Sequence, residues 1–275
     1  MIKKYELTQN SIKVNDKTLY QIKALKDFGS VKAGDLGGYI ETEDNLSHDG
    51  NCWVSGDAHV YGHAWVSEDA QVSENAHVYG NACVFGNACV SEDARVYGKA
   101  RVSGNAWVYG DAQVYGNAQV YGGDARVSGH AEVSGNAQVS EDAHVSGDTW
   151  VSGHAWVYGN AQVSRNAQVY GKARVYENAW IFGDAHVYGD ARVYGNALVS
   201  GNACVFGHAQ VFGHAHVHGN AQVYGDARLG HVPVDFDCDF DPHESLKEIL
   251  DHKEILPVLL GINSGLDKMI SERLK

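Results

Sequence analysis

Proline and methionine are nearly absent from this chain: 3 Pro and 2 Met in 275 residues. So little proline excludes a polyproline linker, and the 32 Gly lack the three-residue period of a collagen-type fibre. No apolar run approaches the roughly 20 residues of a membrane-spanning helix. Bases are scarce: 21 Lys and Arg face 34 Asp and Glu, for a net charge of −13. That balance argues against a generally basic nucleic-acid binder. Five cysteines (Cys52, Cys83, Cys89, Cys204, Cys238) form an odd set without metal-type spacing. They read as free thiols of a reducing compartment. The start, Met-Ile-Lys-Lys-Tyr-Glu, has no apolar stretch of the signal-peptide kind. The expected location is therefore the cytoplasm.

What is present is alanine, valine and a repeat. Hydrophobic residues make up 44%, which excludes a disordered chain. From Val54 to Arg228 the chain reads Val-(Tyr/Ser)-Gly-(Asn/Asp)-Ala-X twenty-nine times. The first slot is Val except at Ile181, and the fifth is Ala except at Thr149. The register breaks once, at Gly122–Gly123, by one added residue. Ala-X-Val alternates small, variable and β-branched, which predicts a short strand with Ala and Val inward and X outward. The Gly-Asn or Gly-Asp step tolerates φ > 0 and predicts a corner. No single coil of such strands buries its own face, so coils must stack.

The second slot shows how many sides a coil has. At 18 residues per coil, with Gly122–Gly123 as a bulge, one column reads Ser55, Ser73, Ser91, Tyr109, Ser128, Ser146, Ser164, Phe182, Ser200, His218. Another reads Tyr61, Tyr79, Tyr97, Tyr115, Ser134, Ser152, Tyr170, Tyr188, Phe206, Tyr224. A serine-rich and an aromatic ladder predict three hexads per coil and a bulge that the stack absorbs. The prism would have about ten coils and be roughly 46 Å long at about 4.8 Å per coil.

This hexad resembles that of left-handed parallel β-helix proteins, and left-handedness is implied by that resemblance alone. The segment Asp27-Phe28-Gly29-Ser30-Val31-Lys32-Ala33-Gly34-Asp35-Leu36-Gly37-Gly38-Tyr39-Ile40, then Leu46-Ser47 and Gly50-Asn51-Cys52-Trp53-Val54, is similar to the start of YdcK-like bacterial and prophage proteins. These are often labelled acetyltransferases on fold grounds. The resemblance covers about residues 3–230. It implies an all-β, left-handed parallel β-helix. Enzymes of that class are acyltransferases, in which a His commonly acts as general base and CoA lies between neighbouring helices of a trimer. Many carry a long loop near the site, whereas nothing longer than one residue interrupts the repeat here.

Three segments follow. Residues 1–50 predict a small β cap, with a hairpin from Ser11–Val14 through an Asn15-Asp16 turn to Lys17–Leu25. It would cover the open edge of the first coil. Residues 51–230 form the β-helix. Residues 231–275 begin with an acidic linker (Asp235, Asp237, Asp239, Asp241) and continue as C-terminal helices, with Asp241-Pro242 at one start and Leu246, Ile249 and Leu250 on one face. Ser264 would cap a last helix bearing Leu266, Met269, Ile270 and Leu274. This segment is expected to cap the last coil or dock a partner.

Candidate functional residues fall into four groups. His208, His214, His216 and His218 are the first catalytic candidates if the chain is an acyltransferase using acetyl-CoA. Arg174, Arg192 and Arg228 are then the CoA-phosphate contacts. His214, His216 and His218 alternate, as His-X-His zinc ligands on strands do, but repeat drift at exposed slots also explains them, and no metal is expected. The second group is a basic-aromatic ridge: Lys99, Arg101, Lys172, Arg174, Arg192 and Arg228, beside Tyr61, Tyr79, Tyr97 and Tyr115. The third is an acidic ridge of Asp57, Glu74, Glu92, Asp93, Asp111, Asp148 and Asp184, opposed only by Arg165, and a second of Glu68, Asp69, Asp124, Glu141, Asp142 and Glu177. The fourth is six tryptophans in X slots or their equivalent (Trp53, Trp65, Trp107, Trp150, Trp156, Trp180), all expected to face outward. Fold alone does not confer function. The reading is a non-catalytic scaffold that meets a protein partner or further copies of itself, as a trimer or side by side. The alternatives are the acyltransferase and an acidic nucleic-acid mimic that inhibits a DNA-binding or defence enzyme. Direct nucleic-acid binding and membrane contact are not expected.

Overall fold

The structure, a computed structural model, describes residues 3–230. The predicted acidic linker and C-terminal helices lie outside the described residues. Two long strands open the chain, β1 (Tyr5–Val14) and β2 (Lys17–Ala24). They form the expected antiparallel hairpin, with Val14 opposite Lys17 and Asn15 at φ 53°. Strand β3 (Leu36–Ile40) pairs antiparallel with β2 on one side. On the other side it pairs in parallel with the rung His59–Val60.

The rest is a parallel β-solenoid with 18 residues per turn. Its rungs are mostly two residues long, X and Val, and they build three faces. The first face runs from Trp53–Val54 to His216–Val217 in ten strands. The second runs from His59–Val60 to Gln222–Val223 and continues upward through β3, β2 and β1 into a 13-stranded sheet. The third runs from Trp65–Val66 to Arg228–Gly230 in ten strands. Because β3 is already a rung, the solenoid has about eleven turns rather than ten.

Burial follows the hexad. Apart from Thr149, the core inside the prism is the repeat's Val and Ala, with Cys52 in the inward slot ahead of the first Val, Ile181 in one Val slot and Leu229 closing the series. The corner glycines do two jobs. Gly98 sits at φ +72°, and a Cβ there would lie 2.9 Å from the backbone N of Gly116 in the next coil. Six corners nevertheless hold this left-handed conformation without glycine: Glu68, Glu74, Glu92, Glu141, Arg165 and Glu177, at φ 58–64°. All six lie on the corners after the first and third faces. The corner between the second and third faces is glycine in every coil. Fourth-slot asparagines bond the coils together, as in Asn160 to Asn178 and Asn178 to Asn196, both at 3.2 Å. The added residue at Gly122–Gly123 is absorbed as expected. Pairs across it are 19 apart, as in Trp107 with Arg126, and Arg126 with His144 returns to 18.

Each coil donates its N–H groups to carbonyls of the following coil, so the first coil presents unpaired carbonyls upward. The cap supplies their donors. Asn45 Nδ2 donates to the carbonyls of Gly62 (3.0 Å) and Ala64 (2.9 Å). Lys4 Nζ donates to that of Cys52 at 2.9 Å. Glu41 accepts from Gly62 N–H at 2.7 Å and from Lys17 Nζ at 2.6 and 2.7 Å. No helix among the described residues is long and apolar enough to cross a membrane.

Candidate interaction face

The X slots point outward, and their side chains make the surface. On the third face the later coils present Trp156, Arg174, Arg192, Gln210 and Arg228 in register. Arg174 lies 5.5 Å from the Trp156 ring centre and Arg228 lies 5.8 Å from that of Phe212, both in cation–π contact. Arg174 and Arg192 are direct neighbours across one rung spacing, about 4.8 Å. Among the described residues, no arginine of the solenoid lies within 4 Å of a carboxylate. Such a row of guanidinium groups makes a surface of positive potential.

Aromatic stacks border this row on both sides. Tyr170, Tyr188, Phe206 and Tyr224 run along the edge leading into the face, with rings 4.9–5.4 Å apart. Tyr158, Tyr176, Tyr194 and Phe212 run along the edge leading out, at 4.9–5.3 Å. Parallel in-register strands place identical slots one rung apart, so rings stack with almost no tilt. Burial pushes the phenol pKa of Tyr158 and Tyr176 upward. The second of these stacks was not foreseen. Its signal was the 18-residue spacing of four aromatic second slots, in a column whose earlier coils mix Ser, Phe and Tyr.

The structure divides the predicted basic ridge. Lys172, Arg174, Arg192 and Arg228 stand together at the third face. Lys99 and Arg101 are exposed four coils earlier, with Gln119, Gln138 and Trp156 between Arg101 and Arg174. Tyr61, Tyr79, Tyr97 and Tyr115 do stack, at 4.9–5.0 Å, but alongside Lys99 and Arg101. Ser134 and Ser152 interrupt that column before Tyr170 resumes it.

The acidic ridge is exposed along its length, from Asp57 to Asp184. Its carboxylates are largely separated by other fourth-slot groups. Asp93 accepts from Asn75 at 3.2 Å, Asp184 accepts from Asn166 at 2.8 Å, and Asp111 faces His130 at 3.4 Å. The second ridge likewise has Asn51 donating to Asp69 at 2.8 Å. Much of the acidic patterning is thus inter-coil hydrogen bonding.

His208 faces Asp190 at 4.0 Å on the corner before the third face. His214 and His218 flank the first-face rung His216–Val217, one at the corner entering it and one where it ends. Among the described residues no group of three or more His, Cys, Asp or Glu is arranged to hold a metal ion. Five tryptophans are 40–52% exposed, as expected. Trp53 is the correction: it is 4% exposed, because Phe28 and Tyr5 of the cap pack edge-on against it at 5.4 and 6.4 Å.

A family model described as the YdcK beta solenoid repeat matches the chain at residues 94–110, 167–183, 185–201 and 191–207. No curated protein matches it.

Proposed function

We propose that this β-solenoid repeat protein of YdcK type is a non-catalytic scaffold whose third face binds an acidic protein surface, foremost that of a second copy. The observation that carries this reading is the arginine row Arg174, Arg192 and Arg228 between two aromatic stacks, without carboxylate partners among the described residues. Charge gives such a face its steering, and the rings give it apolar area without loss of side-chain freedom. The acidic corner at Asp57, Asp93, Asp111 and Asp148 supplies complementary charge on another copy.

Solution mass by light scattering at about 50 mM and about 500 mM salt tests the reading. Association at low salt that weakens at high salt, and is lost in Arg174→Glu/Arg192→Glu, is expected. A monomer at both salt concentrations, unchanged by the substitutions, would overturn it. Calorimetry with acetyl-CoA distinguishes the acyltransferase alternative, which requires saturable binding.

A further inference from the structure

Lysine is rarely buried without a carboxylate. Lys4 is wholly buried beneath the cap, and Cys52 is wholly buried beside it. The Lys4 Nζ contacts are the carbonyls of Cys52 (2.9 Å), Gly50 (3.3 Å) and Asp49 (3.5 Å), and Cys52 Sγ at 3.3 Å. The Phe28 ring closes over the amine, 4.9 Å from its centre. No carboxylate lies within ion-pairing distance of it among the described residues. Nζ donates to these carbonyls and to Cys52 Sγ, and the thiol in turn donates to the carbonyls of Ser47 (3.5 Å) and Asp49 (3.6 Å).

Burial disfavours the charged form of both groups. It lowers the Lys4 pKa and raises that of Cys52, against the weaker mutual attraction of their charged forms. The other described cysteines, Cys83, Cys89 and Cys204, sit in half-exposed X slots, and their recorded polar contacts include no amine. Cys52 differs because it fills an inward slot of the first coil, where β1 brings Lys4 down on it.

We propose that Lys4 and Cys52 are an oxidative cross-linking site, joined through one oxygen atom as an N–O–S bridge. With dioxygen as the oxidant the step balances. One N–H and the S–H bond break, and an N–O and an O–S bond form. One oxygen atom enters the bridge, and the other leaves as water with the two hydrogens. Nitrogen and sulfur each give up two electrons, and dioxygen takes all four. Reversal takes two thiol pairs: the first cleaves the O–S bond, returning the Cys52 thiol and leaving a hydroxylamine on Lys4, and the second reduces the N–O bond and releases water. Oxidised, the pair ties β1 to the first coil and closes a 48-residue separation covalently.

The first test is the intact mass of the unsubstituted full chain after exposure to dioxygen. A gain of about 14 Da (one oxygen in, two hydrogens out) is expected, which dithiothreitol shifts to about 16 Da as the O–S bond opens and then removes as the N–O bond is reduced. Peptide mapping should place it between Lys4 and Cys52. Cys52→Ser and Lys4→Met should each abolish the gain. The oxidised chain should also melt at a higher temperature than the reduced one. An unchanged mass, with Cys52 fully alkylated after unfolding, would overturn the proposal. So would a loss of about 2 Da, which signals a direct N–S bond instead.

Discussion

The earlier and later coils of the solenoid share one core and differ in their surfaces. Residues 51–148 carry twelve carboxylates against four bases, and residues 149–230 carry four against five. The earlier coils have one continuous tyrosine stack, Tyr61 to Tyr115. The later coils have two aromatic stacks with arginines between them. Four of the six non-glycine left-handed corners, Glu68, Glu74, Glu92 and Glu141, also lie in the earlier part. Inward slots are held constant by packing against the coil above and the coil below. Outward slots are released from that constraint, so charge and aromaticity vary along the axis at little cost to the fold.

The sharpest way to break this comparison is to exchange corners. Gly98→Glu puts a side chain at φ +72° with its Cβ 2.9 Å from a backbone nitrogen. It should destabilise by about 3 kcal/mol in chemical denaturation. Glu92→Gly, at φ 59°, should be stabilising by up to about 1 kcal/mol. If both changes are neutral, the two kinds of corner do not differ.

Thr149 stands where the two parts meet. It is the one exception among the repeat's Ala slots, and its hydroxyl is buried with no hydrogen-bond partner among the described residues. Thr149→Ala should stabilise by about 1–2 kcal/mol by removing an unsatisfied polar group. A lower melting temperature would refute that account.

Filling one of the two gaps in the ladder should extend the later stack by one coil. Ser152→Tyr places a ring directly above Tyr170 and should add about 0.5–1 kcal/mol. A double cycle with Tyr170→Ala measures whether the gain is ring stacking.

Acid should act on the earlier coils first. Burial lowers the pKa of His59, assisted by His77, and burial also lowers those of His77 and His144. The unfolded chain therefore takes up these protons first. The stability these neutral rings allow is complete above an unfolded pKa of about 6.5 and is lost as pH falls through the lower folded values. Hydrogen exchange at pH 7 and at pH 5.5 should show protection falling around these rungs. His59→Gln/His77→Gln should flatten the dependence. The smallest effect on stability is expected from Arg174→Glu, within about 0.5 kcal/mol, although the same change should weaken association.

Most of the fold was legible because every coil repeats one environment. Val, Ala and Gly in fixed slots require inward faces and left-handed corners wherever they occur, and the two ladder columns revealed the 18-residue turn. The hairpin was legible from Asn15-Asp16. The entry of β3 into the solenoid was not, because Leu36–Ile40 lacks the hexad and joins the stack only by pairing with His59–Val60. Trp53 shows the same limit: it occupies an X slot like the other five tryptophans, and only the overlying Phe28 and Tyr5 bury it. In the candidate face, the arginines were visible as residues. Their separation from Lys99 and Arg101 and their enclosure by two stacks depended on which slots meet across coils.

The sequence by itself determined the turn, the core and the corners, since these arise from a local pattern repeated at a fixed period. The tertiary structure decided what each outward side chain meets. Those neighbours lie 18 residues away or in the cap, and contacts over that distance depend on the stacking of whole coils rather than on any single hexad.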